Sequence, residues 1–181
     1  MRFSDFGGPV LFPVRGIDSP VSPEIIVPIT SGSDDANEIN ENVALTSNEL
    51  NLTVGTETVY TGLRYQDLRI PRGAVITSAR VRFTSRALNT SDATLTFRAE
   101  SVGNSTTFTS EDRNISSRST TGSEVVWNTD NNFPLSDESI LSPDISAVIQ
   151  EVVNRGDWCG GNSLNLLIEG TSAVSSSARK T

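Results

Sequence analysis

From Leu141 to Gly170 the chain reads LSPDISAVIQEVVNRGDWCGGNSLNLLIEG, and no other stretch narrows the folds open to it so much. Ser142 suits a helix N-cap and Pro143 the first helical position, while Ile145, Val148, Ile149, Val152 and Val153 recur at the three-to-four spacing of one apolar stripe. Arg155 and Gly156 are expected to close that helix. After a Gly160-Gly161 turn, Leu164, Leu166 and Ile168 alternate with Asn165 and Glu169, the period of a strand laid into a sheet. A short amphipathic helix followed by a closing strand is therefore expected.

The remainder reads as strands and turns. Glu24–Thr30 is a β-branched run in which Pro28 argues for an edge or a break, and 31–42 is polar and acidic, as in a loop. Leu50, Leu52 and Val54 alternate with polar neighbours, and a longer strand spans Thr58–Leu68. Ile70-Pro71-Arg72-Gly73 matches a type I turn. Ala79, Val81 and Phe83 alternate with Arg80, Arg82 and Thr84, and Leu95, Phe97 and Ala99 alternate with Thr96, Arg98 and Glu100, so these two strands are expected to pair as an antiparallel hairpin. Residues 103–122 read as a long surface loop, and Ser123–Asn128 as a short strand. Seven or eight such strands with one helix predict an all-β fold, an antiparallel jelly-roll β-sandwich with a single short helix, with a barrel as the structural alternative.

Two segments divide the chain. Residues 1–23 carry Pro9, Pro13, Pro20 and Pro23 with Gly7, Gly8 and Gly16, which predicts an extended N-terminal arm ahead of a β-sandwich domain over 24–181. The arm also holds Phe3, Phe6, Val10, Leu11, Phe12 and Val14, more apolar surface than a solvated linker tolerates. Such an arm is expected to dock on a neighbouring subunit, with docking on its own domain or simple disorder of a terminus as the alternatives.

Composition excludes several functions. The 14 basic and 22 acidic residues give a formal charge of −8, which repels phosphate backbones and anionic lipid, so neither nucleic acid nor a membrane surface is the expected partner. No run of eighteen apolar residues exists to span a bilayer, and the first residues lack the uninterrupted apolar core of a signal peptide. The single cysteine, Cys159, cannot form an intrachain disulfide, and without any histidine it lacks the usual activator of a nucleophilic thiol. Absence of histidine also removes the commonest general base and metal ligand. There is no G-x-S-x-G elbow, phosphate loop or H-E-x-x-H, and Glu151 with Glu169 is the least poor carboxylate pair, so no enzyme is expected.

The strings SGSDDANE (31–38), YTGLRYQDLRIPRGAVITSARVRF (60–83), SEVVWN (123–128) and PDISAVIQEVVNRGDWCGGNSLNLLIEG (143–170) resemble a β-sandwich module of large bacterial surface proteins, similar to carbohydrate-binding modules of the DNRLRE type. There an IP-x-GA-I phrase precedes V-x-W, a short helix and a GN-x-L-x-L-x-I-x-G strand. The resemblance covers about residues 28–175 and implies a jelly-roll without a catalytic centre. Such modules close with one more apolar strand, whereas this sequence finishes SAVSSSARKT, which predicts an unpaired sheet edge or a strand supplied by a partner.

Candidate sites follow from side-chain chemistry. Asp34, Asp35, Asn37 and Glu38 bring oxygen ligands together for a Ca²⁺ ion, against the alternative of a solvated acidic loop; Asn128, Asp130 and Asn132 form a poorer set, more in keeping with turn formation. Trp127, Trp158, Tyr60 and Tyr65 are the aromatic side chains able to stack on a sugar ring, with core packing as the competing role. Tyr60 and Tyr65 fall on opposite faces of one strand. Arg80, Arg82, Arg86 and Arg98 form a basic stripe on the expected hairpin, compensated by Glu100 and its neighbours. The sequons at Asn51, Asn89, Asn104 and Asn114 are what so Ser/Thr/Asn-rich a chain contains by chance. The expected function is a structural or attachment subunit of a larger homo- or hetero-oligomeric assembly, a phage tail or capsid-associated virion protein docking through its arm. The alternative is a glycan-binding adhesion module at a bacterial cell surface.

Overall fold

The computed structural model describes residues 24–45, 49–84, 92–129 and 138–172, so the arm of 1–23 and its six apolar residues lie outside the described residues. The protein is mostly β. Strands β1 (Asp35–Ile39), β2 (Asn42–Ala44), β3 (Val59–Leu68), β5 (Ala93–Ala99), β6 (Val125–Asn128) and β8 (Asn162–Ser172) form a six-stranded sheet in the order β2-β1-β3-β8-β5-β6. Every neighbouring pair in it is antiparallel. Strands β4 (Arg82–Thr84) and β7 (Ser139–Leu141) pair separately, and helix α1 spans Ser146–Val153.

The strand expected last in the sheet sits in its middle. Residues 163–168 are all buried because β8 is paired on both sides and covered on both faces. The edges of the large sheet are instead β2 and β6, which corrects the expectation of an open edge beside Leu164–Ile168.

One face of this sheet builds the main core. Leu63, Leu95, Phe97, Leu164, Leu166 and Ile168 meet Val148, Val152 and Val153 of α1, together with Phe83 and Trp158. Alternation in 79–84 and 95–99 holds: Val81 and Phe83 are buried, as are Leu95, Phe97 and Ala99. The expected hairpin does not form, since β4 pairs with β7 while β5 lies between β8 and β6. The Phe83 and Phe97 ring centroids stand 6.5 Å apart across the core. An alternating pattern records that a strand has a buried face, and facing strands generate it as well as neighbouring ones.

Other local expectations shift for identifiable reasons. Residues 35–39 and 42–44 are strands, since Ala36, Asn37 and Glu38 are buried and hydrogen-bonded, not solvated. Segments 24–30 and 50–54 form no regular strand, although Leu50 and Leu52 are buried and Val27 and Ile29 pack on the core. Ala74 donates to the Pro71 carbonyl at 3.1 Å, so that turn sits one residue later than expected, with Gly73 at a φ of +74° in its third position. Ser142 caps nothing: its hydroxyl accepts the Val81 N–H at 3.0 Å, extending the β4–β7 ladder. The helix starts at Ser146, whose N–H is met by Asp144 Oδ1 at 2.9 Å, and it stops at Asn154, just short of Arg155-Gly156. Gly160 and Gly161 do turn the chain, at φ of +80° and +73°.

Candidate functional site

The second face of the large sheet is organised in rows set by the strand register. One row runs Val43, Glu38, Tyr60, Glu169, Thr96, Val126 from edge to edge. The next holds Ala36, Gly62, Leu167 and Arg98, and beyond it Arg64 lies opposite Asn165. On the other side of the first row, Thr171, Thr94 and Asn128 adjoin.

Half of this face is covered. The 103–122 segment, expected to be a surface loop, lays Phe108 and Ile115 on Ala36 and Leu167 to make a second small core. Gly62 is what admits it, because a Cβ there would run into the Phe108 ring. Three charged groups, Glu38 buried and Arg64 and Arg118 largely so, fasten the cover. Arg118 lies over the Phe108 ring with its guanidinium carbon 4.8 Å from the centroid, pairs with Glu100 at 2.9 Å, and donates to the Asn114 and Thr107 carbonyls. Glu38 accepts the backbone N–H groups of Ile115 and Ser116 at 2.8 and 2.9 Å and the Ser116 hydroxyl. Arg64 pairs with Asp34 at 2.9 Å and donates to the Ser105 carbonyl and the Ser163 hydroxyl. Asn165 ties β8 to the same network, its amide donating to Glu100 and to the Thr106 carbonyl. Charged hydrogen bonds of this kind, shielded from water, are stronger than neutral ones and fix geometry.

The other half is open. Tyr60, Glu169, Thr96 and Arg98 are half-buried, while Val126, Thr171 and Asn128 are exposed. Arg98 bridges Glu124 and Glu169, the latter at 3.2 Å. Burial, then the nearby Glu169 and Glu38 carboxylates, hold the Tyr60 phenol above its ordinary pKa, with Arg98 acting in the opposite sense, so it stays a neutral hydrogen-bonding group. Beside Tyr60 a cleft of about 500 Å³ is lined by Glu38, Asn40, Glu41, Glu57, Thr58, Arg113 and Ser116. Its rim carries Asn40, Glu41 and Arg113 at positive φ (49°, 71° and 59°), and Arg113 fastens to Glu41 by its backbone N–H and its guanidinium.

Of the four aromatic candidates, only Tyr60 borders this open surface. Trp158 is 1% exposed and donates to the Ile70 carbonyl at 2.8 Å. Trp127 packs between Phe83 and Phe97, with centroids 6.3 and 6.4 Å away. Tyr65 lies against the main core, as expected from its opposite phase to Tyr60, and burial pushes its phenol well above the ordinary value.

The acidic string does not converge. Asp34 and Glu38 share the covered face, where Arg64 and Gln66 engage the first and loop N–H groups the second. Asn37 points to the other face, exchanging hydrogen bonds with the Asn51 backbone at 2.7 and 2.6 Å. Asp35, the first residue of β1, lies between Asp34 and Ala36 and out of phase with both. Among the described residues no three His, Cys, Asp or Glu side chains group as metal ligands. Asn128 is exposed at the end of β6 and bonds Thr94, whereas Asp130 and Asn132 lie outside the described residues.

Glu151 and Glu169 are separated by the sheet itself, Glu151 accepting the Gly122 and Ser123 N–H groups on the helix side. The arginine stripe divides too: Arg80 bonds the Ser142 carbonyl beside the small sheet, Arg98 lies on the large one, and Arg86 is outside the described residues. Cys159 is exposed. Among the described residues no helix is long and apolar enough to cross a membrane.

The groups that fasten the cover escape a reading of sequence because Glu100, Arg118 and Arg64 look like ordinary surface charges. A usable signal is Asn165, a lone amide inside the apolar run SLNLLI. The chain matches no protein-family model, and no curated protein or solved structure is significantly similar to it.

Proposed function

We propose that this chain is a non-catalytic structural or attachment subunit of a larger assembly, a phage virion component of tail or capsid, which docks on neighbouring subunits through the apolar arm of residues 1–23. The fastened second face supports this most directly. Its ionisable groups, the buried Asp34, Glu38 and Glu100 with the half-buried Arg64 and Arg118, are each engaged in fixing one segment to the sheet, so they serve rigidity and not turnover. On this reading the large sheet and the β4–β7 pair are the two layers of a jelly-roll sandwich, held together by Phe83 against Phe97 and Trp127. Light scattering after size exclusion, on the full chain and on residues 24–181, tests it. The full chain should associate and the shortened one should not; monomers of equal stability in both would overturn the proposal.

Glycan binding at a cell surface is the second reading, favoured by the open row of Tyr60, Thr96, Glu169 and Arg98. A neutral phenol flanked by donors and acceptors on a flat sheet suits a polar, uncharged ligand. A glycan array should lose its signal with Tyr60→Ala while Trp127→Ala variants that stay folded retain it. An array without hits removes this reading.

A further inference from the structure

We propose that residues 10–14 of a neighbouring copy add to the large sheet as an antiparallel strand along the outer edge of β6. This rests on the arm-docking reading above and names its place. Among the described residues no strand lies outside β6, whereas β2 at the opposite edge is three residues long and its turn is held by Arg113. The sequence of β6, VVWN, has neither charge nor proline, the devices that ordinarily keep an edge from pairing. Glu124, which precedes the strand, is engaged by Arg98.

The ladder fixes which groups face outward. Thr129 donates to the Ala93 carbonyl, so in register Trp127 and Val125 also bond inward to β5, and the N–H and C=O of Val126 and Asn128 point away from the sheet. Val126 is 50% exposed, an apolar group on the open and otherwise polar half of its face, while Trp127 anchors the strand in the core.

The arm has the complementary pattern. In an extended segment 9–14, PVLFPV, the N–H groups of residues 10, 12 and 14 point to one edge and those of 9, 11 and 13 to the other. Pro9 and Pro13 have no N–H, so the first edge keeps all its donors and the second keeps Leu11 alone. Such a strand pairs on one side only and ends the sheet it joins. Antiparallel addition, the mode of every pair in this sheet, places the side chains of Val10, Phe12 or Val14 beside Val126.

Reach is sufficient. The described chain begins next to β3, where Val27 and Thr30 border Arg64 and Gln66. Ten extended residues from Val14 span about 35 Å, enough to leave the parent molecule for a neighbour.

Disulfide trapping in the full chain carrying Cys159→Ser tests this. Val126→Cys is combined in turn with Val10→Cys, Phe12→Cys, Val14→Cys and the out-of-phase Leu11→Cys. Paired residues in hydrogen-bonded register lie about 5.5 Å apart at Cα, within disulfide range, so one in-phase variant should give about tenfold more disulfide-linked dimer than Leu11→Cys. Equal or absent linkage in all four, or linkage confined to single chains, overturns the proposal. If removal of residues 1–23 still abolishes association in that case, arm docking stands and only its placement on β6 falls; if removal changes nothing, both fall.

Discussion

The two faces of the large sheet are covered by different physics, one along the whole of β3, β8 and β5 and the other over half its width. Toward α1 the contacts are Leu, Ile, Val, Phe and Trp, non-directional and proportional to area. Toward the 103–122 segment the apolar contact is small, and position comes from charged groups with several partners each. One face supplies cohesion while the other supplies location. A segment without regular structure can be held as firmly as a strand when its backbone groups are met by buried side chains.

The largest effect is expected on the cohesive face. Phe97→Ala, at 0% exposure beside Phe83 and Trp127, should cost about 4 kcal/mol in denaturant unfolding, with little dependence on salt. On the other face, Arg118→Ala removes the counter-charge of the Glu100 carboxylate, whose side chain is 12% exposed and which keeps the neutral donor Asn165, and should cost about 3 kcal/mol. Replacing both by apolar residues of similar volume should recover most of that loss. If the single change is silent, the fastening role assigned to this pair is wrong.

Gly62→Ala sharpens the contrast, because it displaces Phe108 without touching the main core and should cost roughly 1–3 kcal/mol. Trypsin should then cut at Arg113 or Arg118 before the sheet unfolds; simultaneous loss of both would show the faces to be one cooperative unit. A smaller effect is expected in acid. Glu151 is held below the ordinary value by hydrogen bonds from Ser123 and Gly122, and Asp144 by those from Ala79 and Ser146. A lowered folded-state pKa gives stability that is complete above the unfolded value, 4.5 for Glu151, and is lost as pH falls through the folded one. Glu151→Gln should therefore flatten the decline of unfolding free energy below that pH and leave its shape near neutrality unchanged. Smallest of all, Arg69→Ala breaks an exposed pair with Asp67 and should stay within about 0.5 kcal/mol of the parent.

How much of this was legible depends on what kind of residue marks each element. Apolar alternation in β3, β5 and β8 and the stripe of α1 are strong periodic signals, and all four elements are present. The partnership of β5 was not legible, because Val81 and Phe83 show the same period whether they lie beside Leu95 and Phe97 or across the core from them. Strand β1 was hidden since Asn37 and Glu38 satisfy backbone groups from buried positions, and a polar string looks solvated until its partners are known. For the candidate site, Tyr60 was separable from Tyr65 by phase. The burial of Trp127 and Trp158 depends on contacts distant in sequence, such as the Ile70 carbonyl that receives the Trp158 N–H.

The central place of β8 has a kinetic consequence. Strands β3 and β5 are joined in the sheet only through residues 162–172 between them, so half of the sheet must wait for a segment about a hundred residues downstream of β3. During synthesis the chain cannot complete this sheet before that segment leaves the ribosome, and refolding should be slow, in the range of sheets dominated by distant pairings. Until then β3 and β5 each lack a neighbour along one edge, which makes the interval before β8 docks the period of greatest exposure to aggregation.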